Sequence, residues 1–178
     1  MRIWTVGHST RSLDELVELL AESRIELLAD VRTVPGSRRL PHFGKASLEN
    51  ELLRRGVAYV HLPALGGLRK PQPGSTNTGW RNASFRGYAD YMQSAEFEAA
   101  LIELRKLAGE RRLAVMCAEA VPWRCHRSLI ADALTAGGVE VLHITGAGRL
   151  LAHAMTSFAQ IEDGRVVYPD TLGRSSSG

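Results

Sequence analysis

The sequence predicts an α/β fold: a doubly wound, mostly parallel five-stranded sheet with helices on both faces, two long basic loops and a C-terminal hairpin. Two observations carry this expectation. Short apolar runs alternate along the chain with stretches of helical period, the pattern of repeated strand–helix–strand units. The apolar runs are also nearly continuous, as strands buried on both faces must be.

The elements follow in order. Ile3 to Val6 is an apolar run closed by Gly7, a first strand. Ser12 and Glu15 have the spacing of a capping box, and Leu13, Leu16, Val17 and Leu20 line one face of the helix behind it. Leu27 to Val31 makes the second strand, Leu48, Leu52 and Leu53 mark a helix from about Ala46 to Arg55, and Val57 to Leu62 makes the third strand. Phe97, Leu101, Leu104 and Leu107 recur at helical spacing ahead of a fourth strand, Leu113 to Met116. A helix containing Leu129 and Leu134 stops at Gly137 and Gly138, and Val139 to Ile144 is the fifth strand. Asp163-Gly164 lies between β-prone runs and predicts a hairpin on the sheet edge. One domain is expected over residues 1–172, with a disordered tail over 173–178.

Two segments break the rhythm. Thr33 to Gly44 is basic and carries two prolines, and Pro63 to Gly87 is rich in Gly, Pro, Ser, Thr and Asn. Long connections without secondary structure are uncommon in compact domains and are often binding loops or lids.

Composition narrows the function classes. The chain has 178 residues, 44% of them hydrophobic, and two cysteines, too few for a secretory disulfide framework. No apolar run reaches the roughly 20 residues needed to cross a bilayer, and the N-terminus lacks a signal-peptide core. A cytoplasmic protein with reduced thiols and no membrane partner is expected. The net charge is +3, but Val31 to Ala89 holds ten Lys and Arg against Glu49 and Glu51, leaving the remainder at −5. Such asymmetry suits an anionic ligand, from a phosphorylated metabolite to a nucleic-acid component, or else a plain solvated basic surface.

Ligands of open parallel sheets bind beyond the carboxyl ends of the strands. Those inferred ends are rich in reactive types: His8, Ser9, Thr10 and Arg11; Asp30 and Arg32; His61; Cys117 and Glu119; His143 and Thr145. The densest stretch is Cys117 to Arg127, CAEAVPWRCHR, between a strand and a helix N-terminus. A strand-end Cys followed by a helix-opening Arg is similar to the loops of cysteine phosphatases and rhodaneses, where an oxyanion is cradled and the thiol activated. The spacing differs, since six residues separate Cys117 from Arg124, one more than in the phosphatase loop, and the cradle's glycines are missing. Cys117 is therefore a candidate nucleophile or a buried structural thiol. Glu119 is a candidate nucleophile or general base, or a salt-bridge partner of Arg127 or Arg32. Asp30 and His8 are candidate assisting groups. Ser9, Arg32, Arg38, His61, Arg124 and Arg127 are candidate substrate-binding residues, with Arg32 either paired to Asp30 or orienting it.

Zinc is the rival reading, with Cys117, Cys125, His126, His61 and His8 as possible ligands. Structural zinc sites pair cysteines about two to four residues apart, whereas Cys117 and Cys125 are eight apart. No metal or other cofactor is expected, and a reversible Cys117–Cys125 disulfide stays open. Arginines interleaved with aromatics, from Arg38 to Lys45 and from Arg69 to Tyr88, add a pattern used for stacking on nucleotides and single strands.

GHSTRSLDELVELL, LLADVRTVPGSRRLPHF, YVHLPALGG, CAEAVPWRCHRSLIADAL and VLHIT together resemble successive blocks of the bacterial and archaeal family known as domain of unknown function 488. The resemblance spans residues 3 to 146 and implies recurrent positions at Gly7, His8, Ser9, Asp30, Arg32, Pro35, Ser37, Arg38, Leu65, Gly66, Cys117, Glu119, Cys125, His126 and Arg127. It implies no reaction. The expected protein is an enzyme, a hydrolase or transferase, acting on an anionic, phosphate-bearing substrate; the alternative is a nucleic-acid-binding or interaction module using residues 32–86.

Overall fold

The computed structural model describes residues 1–36 and 38–171. A six-stranded sheet runs in the order β3-β2-β4-β1-β5-β6. Strands β1 (Arg2–Gly7), β2 (Leu27–Asp30), β3 (Ala58–His61), β4 (Leu113–Cys117) and β5 (Glu140–Gly146) are parallel, as expected from their apolar runs. The sixth, β6 (Arg149–Ala152), pairs antiparallel with β5 and corrects the expected count of five. Its residues are all exposed, so RLLA has no inside-outside alternation to betray a strand.

Side chains alternate across the sheet and feed two cores. Trp4, Val6, Leu28, Ala114 and Met116 meet Leu16, Leu19 and Leu20 of α1 (Leu13–Glu22) and Leu48 and Leu52 of α2 (Lys45–Arg54). Ile3, Leu27, Ala29, Leu113 and Val115 meet α3 (Ala83–Tyr91), α4 (Ala95–Glu110) and α5 (Arg127–Ala136) on the other face. Helices therefore cover both faces. The capping box forms as predicted: Glu15 N–H donates to Ser12 Oγ at 3.1 Å, and Ser12 N–H to the Glu15 carboxylate at 2.7 Å.

Helix α3 is a second correction, because its first turns fall within the segment expected to be loop. Asn82 caps it by accepting from the Ser84 and Phe85 amides. The capping residue was legible; the short helix lacks a clear apolar stripe, with only Gly87, Tyr88 and Ala89 buried. The C-terminal hairpin is present, with Asp163 and Gly164 both at positive φ in its turn. It does not extend the main sheet. Strands β7 (Gln160–Glu162) and β8 (Arg165–Val167) form their own two-stranded sheet, through which Val166 and Tyr168 reach the α4–α5 core. The expected tail at 173–178 lies outside the described residues. Among the described residues no helix is long and apolar enough to cross a membrane.

Strands β1 and β4 are neighbours, yet the chain leaves β1 toward α1 on one face and β4 toward α5 on the other. This divergence opens a crevice at their carboxyl ends, the switch point where doubly wound sheets place ligands.

Candidate functional site

A cleft of about 720 Å³ occupies that switch point. One wall is His8, Ser9 and Thr10 after β1; a second is Arg32, Thr33, Val34, Gly36 and Leu40 after β2; a third is Cys117 to Val121 with Arg124, Cys125 and His126 after β4. Gly67 and Leu68, from the loop after β3, close it.

Arg32 is the most firmly held group. Asp30 is fully buried and takes four hydrogen bonds: from the Arg32 amide (3.1 Å), Arg32 Nε (2.9 Å), Arg32 Nη2 (2.6 Å) and the Tyr59 hydroxyl (2.7 Å). A bidentate Arg–carboxylate pair fixes the plane of the guanidinium. His61, at the end of β3, places its Nε2 at 2.8 Å from the Arg32 carbonyl oxygen. The third unit is His8, stacked on Phe43 with 4.3 Å between ring centroids. Its Nδ1 lies 2.8 Å from the Ser9 carbonyl and so must donate, while its Nε2 lies 3.3 Å from Arg32 Nη1 and so must accept. These partners define a neutral imidazole with the proton on Nδ1. Burial lowers the His8 pKa, and the Arg32 charge adds to that, in keeping with this assignment. Asp30, His8 and His61 thus orient Arg32, and Arg32 faces the cleft.

The opposite wall holds the sulfur chemistry. Cys117 and Cys125 are free thiols, buried, with 2.9 Å between their sulfurs. Cys117 Sγ lies 3.6 Å from the Glu119 carbonyl oxygen, and the Cys125 S–H donates to Cys117 Sγ. That hydrogen bond lowers the Cys117 pKa, the Arg127 guanidinium lowers it further, and burial opposes both. The Cys125 thiol is pushed far up by the same partnership and by burial. Cys117 is then the more acidic thiol of the pair.

Arg127 is 1% exposed. Its Nη2 donates to the carbonyl oxygens of Glu119 (3.1 Å) and Ala120 (3.3 Å), and its Nε and Nη1 have no hydrogen-bond partner. A cation so enclosed demands a nearby negative charge, and its amide lies 3.5 Å from Cys125 Sγ at the first turn of α5. Arg127 therefore backs the sulfurs and does not line the cleft. His126 does line it, with Nδ1 3.4 Å from Cys125 Sγ and a pKa lowered to about 4 by burial.

Glu119 is exposed on the same wall, the one carboxylate among the described cleft-lining residues. Its salt-bridge reading is not realised with Arg127, which holds its backbone oxygen and not its side chain. The loop is pressed against β1 so closely that a Cβ on Gly7 would stand 1.8 Å from the Glu119 carbonyl oxygen. Only glycine fits there.

The structure thus brings together His8, Ser9, Arg32, Cys117, Glu119 and Arg124 around one cavity, with Asp30 and Arg127 directly behind. Two expected residues stand apart. His61 points at the Arg32 backbone, and Arg38 is exposed on its loop, outside the lining. His143, also expected at the sheet edge, sits below it in a buried chain: Thr5 Oγ1 is 2.6 Å from His143 Nδ1, His143 Nε2 is 3.0 Å from His153 Nδ1, and His153 Nε2 is 2.8 Å from Asp132. The wall residues Val34, Leu40, Gly67 and Leu68 were missed. Gly67 carried a signal, since a Cβ there would press on His126 Nδ1 at 3.1 Å. No group of three or more His, Cys, Asp or Glu suited to a metal ion occurs among the described residues.

The positive excess of residues 32–86 is partly consumed internally. Arg32 pairs with Asp30, Arg54 with Glu51 and Arg55 with Asp14, and Arg69 lies over the Tyr91 ring, 3.6 Å from its centroid. The family model described as Domain of unknown function DUF488 matches residues 12–134. No curated protein and no solved structure matches the chain significantly.

Proposed function

The chain belongs to the family described as Domain of unknown function DUF488, and from that premise we propose an enzyme that acts on an anionic, phosphate-bearing substrate, such as a nucleotide or nucleic-acid component, through the Cys117 thiolate. One observation carries this reading: a guanidinium fixed by Asp30 and His8 faces a hydrogen-bonded pair of thiols across a single cleft. Arg32 is already oriented before substrate arrives, so its binding costs little reorganisation. Arg124 adds a second positive charge at the rim. The Cys117 sulfur, ionised beside Arg127, attacks the electrophilic centre of the bound group. Glu119 is within the same cavity and serves as acid or base for the departing group or for the water that follows.

Inorganic phosphate competing with iodoacetamide for the cleft tests this. Millimolar phosphate should slow Cys117 alkylation in the wild type, and Arg32→Met should weaken that protection about tenfold or more, the loss of one charge-assisted pair. Absence of protection at any concentration sinks the reading. So does tight, steeply salt-dependent DNA or RNA binding that survives Arg32→Met and Cys117→Ser.

A further inference from the structure

Two thiols facing each other at the floor of an open cleft can do more than one of them alone. Cys117 and Cys125 both line the cavity, their sulfurs are 2.9 Å apart, and the chain between them is a short loop on a 3-10 turn, Pro122–Arg124. The sulfurs, already in contact, need only close from 2.9 Å to a bond length of about 2.0 Å. The surroundings differ for each sulfur. Cys117 ends a strand and is held by its neighbour's S–H, while Cys125 receives the Arg127 amide at 3.5 Å and has His126 Nδ1 at 3.4 Å.

We propose that this pair is an attacking and a resolving cysteine that exchange with a low-molecular-weight, carboxylate-bearing disulfide drawn into the cleft by Arg32 and Arg124. The proposal rests on the reading of Cys117 as the thiolate.

The steps balance. The Cys117 thiolate attacks one sulfur of the incoming disulfide, forming a mixed disulfide and expelling one thiolate. With Cys117 no longer negative, the like-charge obstacle to ionising Cys125 is gone, and the Arg127 amide and guanidinium now favour the Cys125 thiolate. Its proton passes by way of His126 to a departing thiolate. Cys125 then attacks Cys117 Sγ, closing the Cys117–Cys125 bond and expelling the second thiolate. The protein loses two electrons and the small disulfide gains them, leaving as one thiolate and one thiol. The same bond removes the nucleophile of the proposed phosphate chemistry, so oxidation also turns that site off.

Charge selects the partner. With the groups directly behind the lining counted, Arg32, Arg124 and Arg127 stand against Asp30 and Glu119, which favours an anionic disulfide over a cationic one.

The experiment exposes reduced protein to oxidised glutathione or, separately, to cystamine, followed by trypsin and mass spectrometry. Cleavage after Arg112, Arg124 and Arg127 puts the two cysteines on different peptides, so a cross-link is unambiguous. Wild type should end as the Cys117–Cys125 cross-link. Cys125→Ser, with Cys125→Ala as a second variant should the first misfold, should stop at a glutathione adduct on Cys117. Cys117→Ser should form no adduct. Oxidised glutathione should react about tenfold faster than cystamine, and Arg32→Met should erase that preference. A stable adduct in wild type, an adduct on Cys125, or equal rates with the two disulfides overturns the proposal. Phosphate protection of the reduced Cys125→Ser protein, measured in parallel, reports on the phosphate reading independently.

Discussion

Arg127 shows how one side chain sets the chemistry of its neighbours. Enclosed at 1% exposure with two nitrogens unpartnered, it is a charge that a carboxylate would normally neutralise, yet it forms no ion pair among the described residues. The group it acts on is Cys117: the guanidinium draws the thiol pKa down, and ionising that thiol would reduce the desolvation cost of the guanidinium. Replacing Arg127 by Met should raise the Cys117 pKa and slow iodoacetamide alkylation at neutral pH severalfold. A pH–rate profile of alkylation, with circular dichroism confirming the fold, checks this. An unchanged profile would mean that the Cys125 hydrogen bond alone holds the thiolate. Residue types at the site were legible in the sequence, because Cys117, Glu119, Asp30 and Arg32 sit at strand ends. Their division of labour was not. Asp30, a candidate catalyst, spends its oxygens on Arg32 and Tyr59, and such saturation depends on partners distant in sequence.

At the scale of elements, Gly7 decides whether the third wall of the cleft can stand where it does. The amides of His8 and Ser9 continue the β1–β4 ladder to the carbonyls of Cys117 and Ala118 at 3.0 and 2.8 Å, drawing the loop after β4 onto the end of β1. Gly7→Ala would drive a methyl into the Glu119 carbonyl. The backbone on both sides is ordered by hydrogen bonds, so the expected cost is about 3 kcal/mol, at the upper end for overpacking. Urea denaturation measures it, and the displaced loop should also lose the rapid alkylation of Cys117. The parallel strands and four of the five helices were readable because burial on one face imposes a period on the sequence and burial on both faces an unbroken apolar run. Strand β6 and helix α3 were not, since β6 is exposed on both faces and α3 buries few residues. Where burial imposes no period, there is none to find.

The whole molecule adds a response to pH. His126 lies beside the sulfurs and His143 in the Thr5–His143–His153–Asp132 chain, and burial lowers both to about 4. In the unfolded chain each titrates near 6.5. As pH falls below 6.5 the unfolded state takes up protons that the native state refuses, so stability declines through the window from 6.5 to 4 and levels off below it. The loss is at most about 3 kcal/mol for His126 and no more for His143. Urea midpoints at pH 7 and pH 4.5 should show the decline, and His126→Asn should flatten it. Equal midpoints would contradict neutral buried imidazoles.

The parallel sheet, the helices' period, the capping box, the Asp163-Gly164 turn and the reactive residues at strand ends could be read from the residues alone, because each rests on contacts within a few residues or on burial patterns. It took the folded molecule to show that β1 and β4 are neighbours whose helices diverge, that the hairpin stands apart from the main sheet, and that the Arg127 guanidinium holds the backbone oxygens of Glu119 and Ala120 instead of Glu119's carboxylate. Those outcomes turn on which distant segments share a wall, and no local pattern encodes the hydrogen bonds and charges that meet across it.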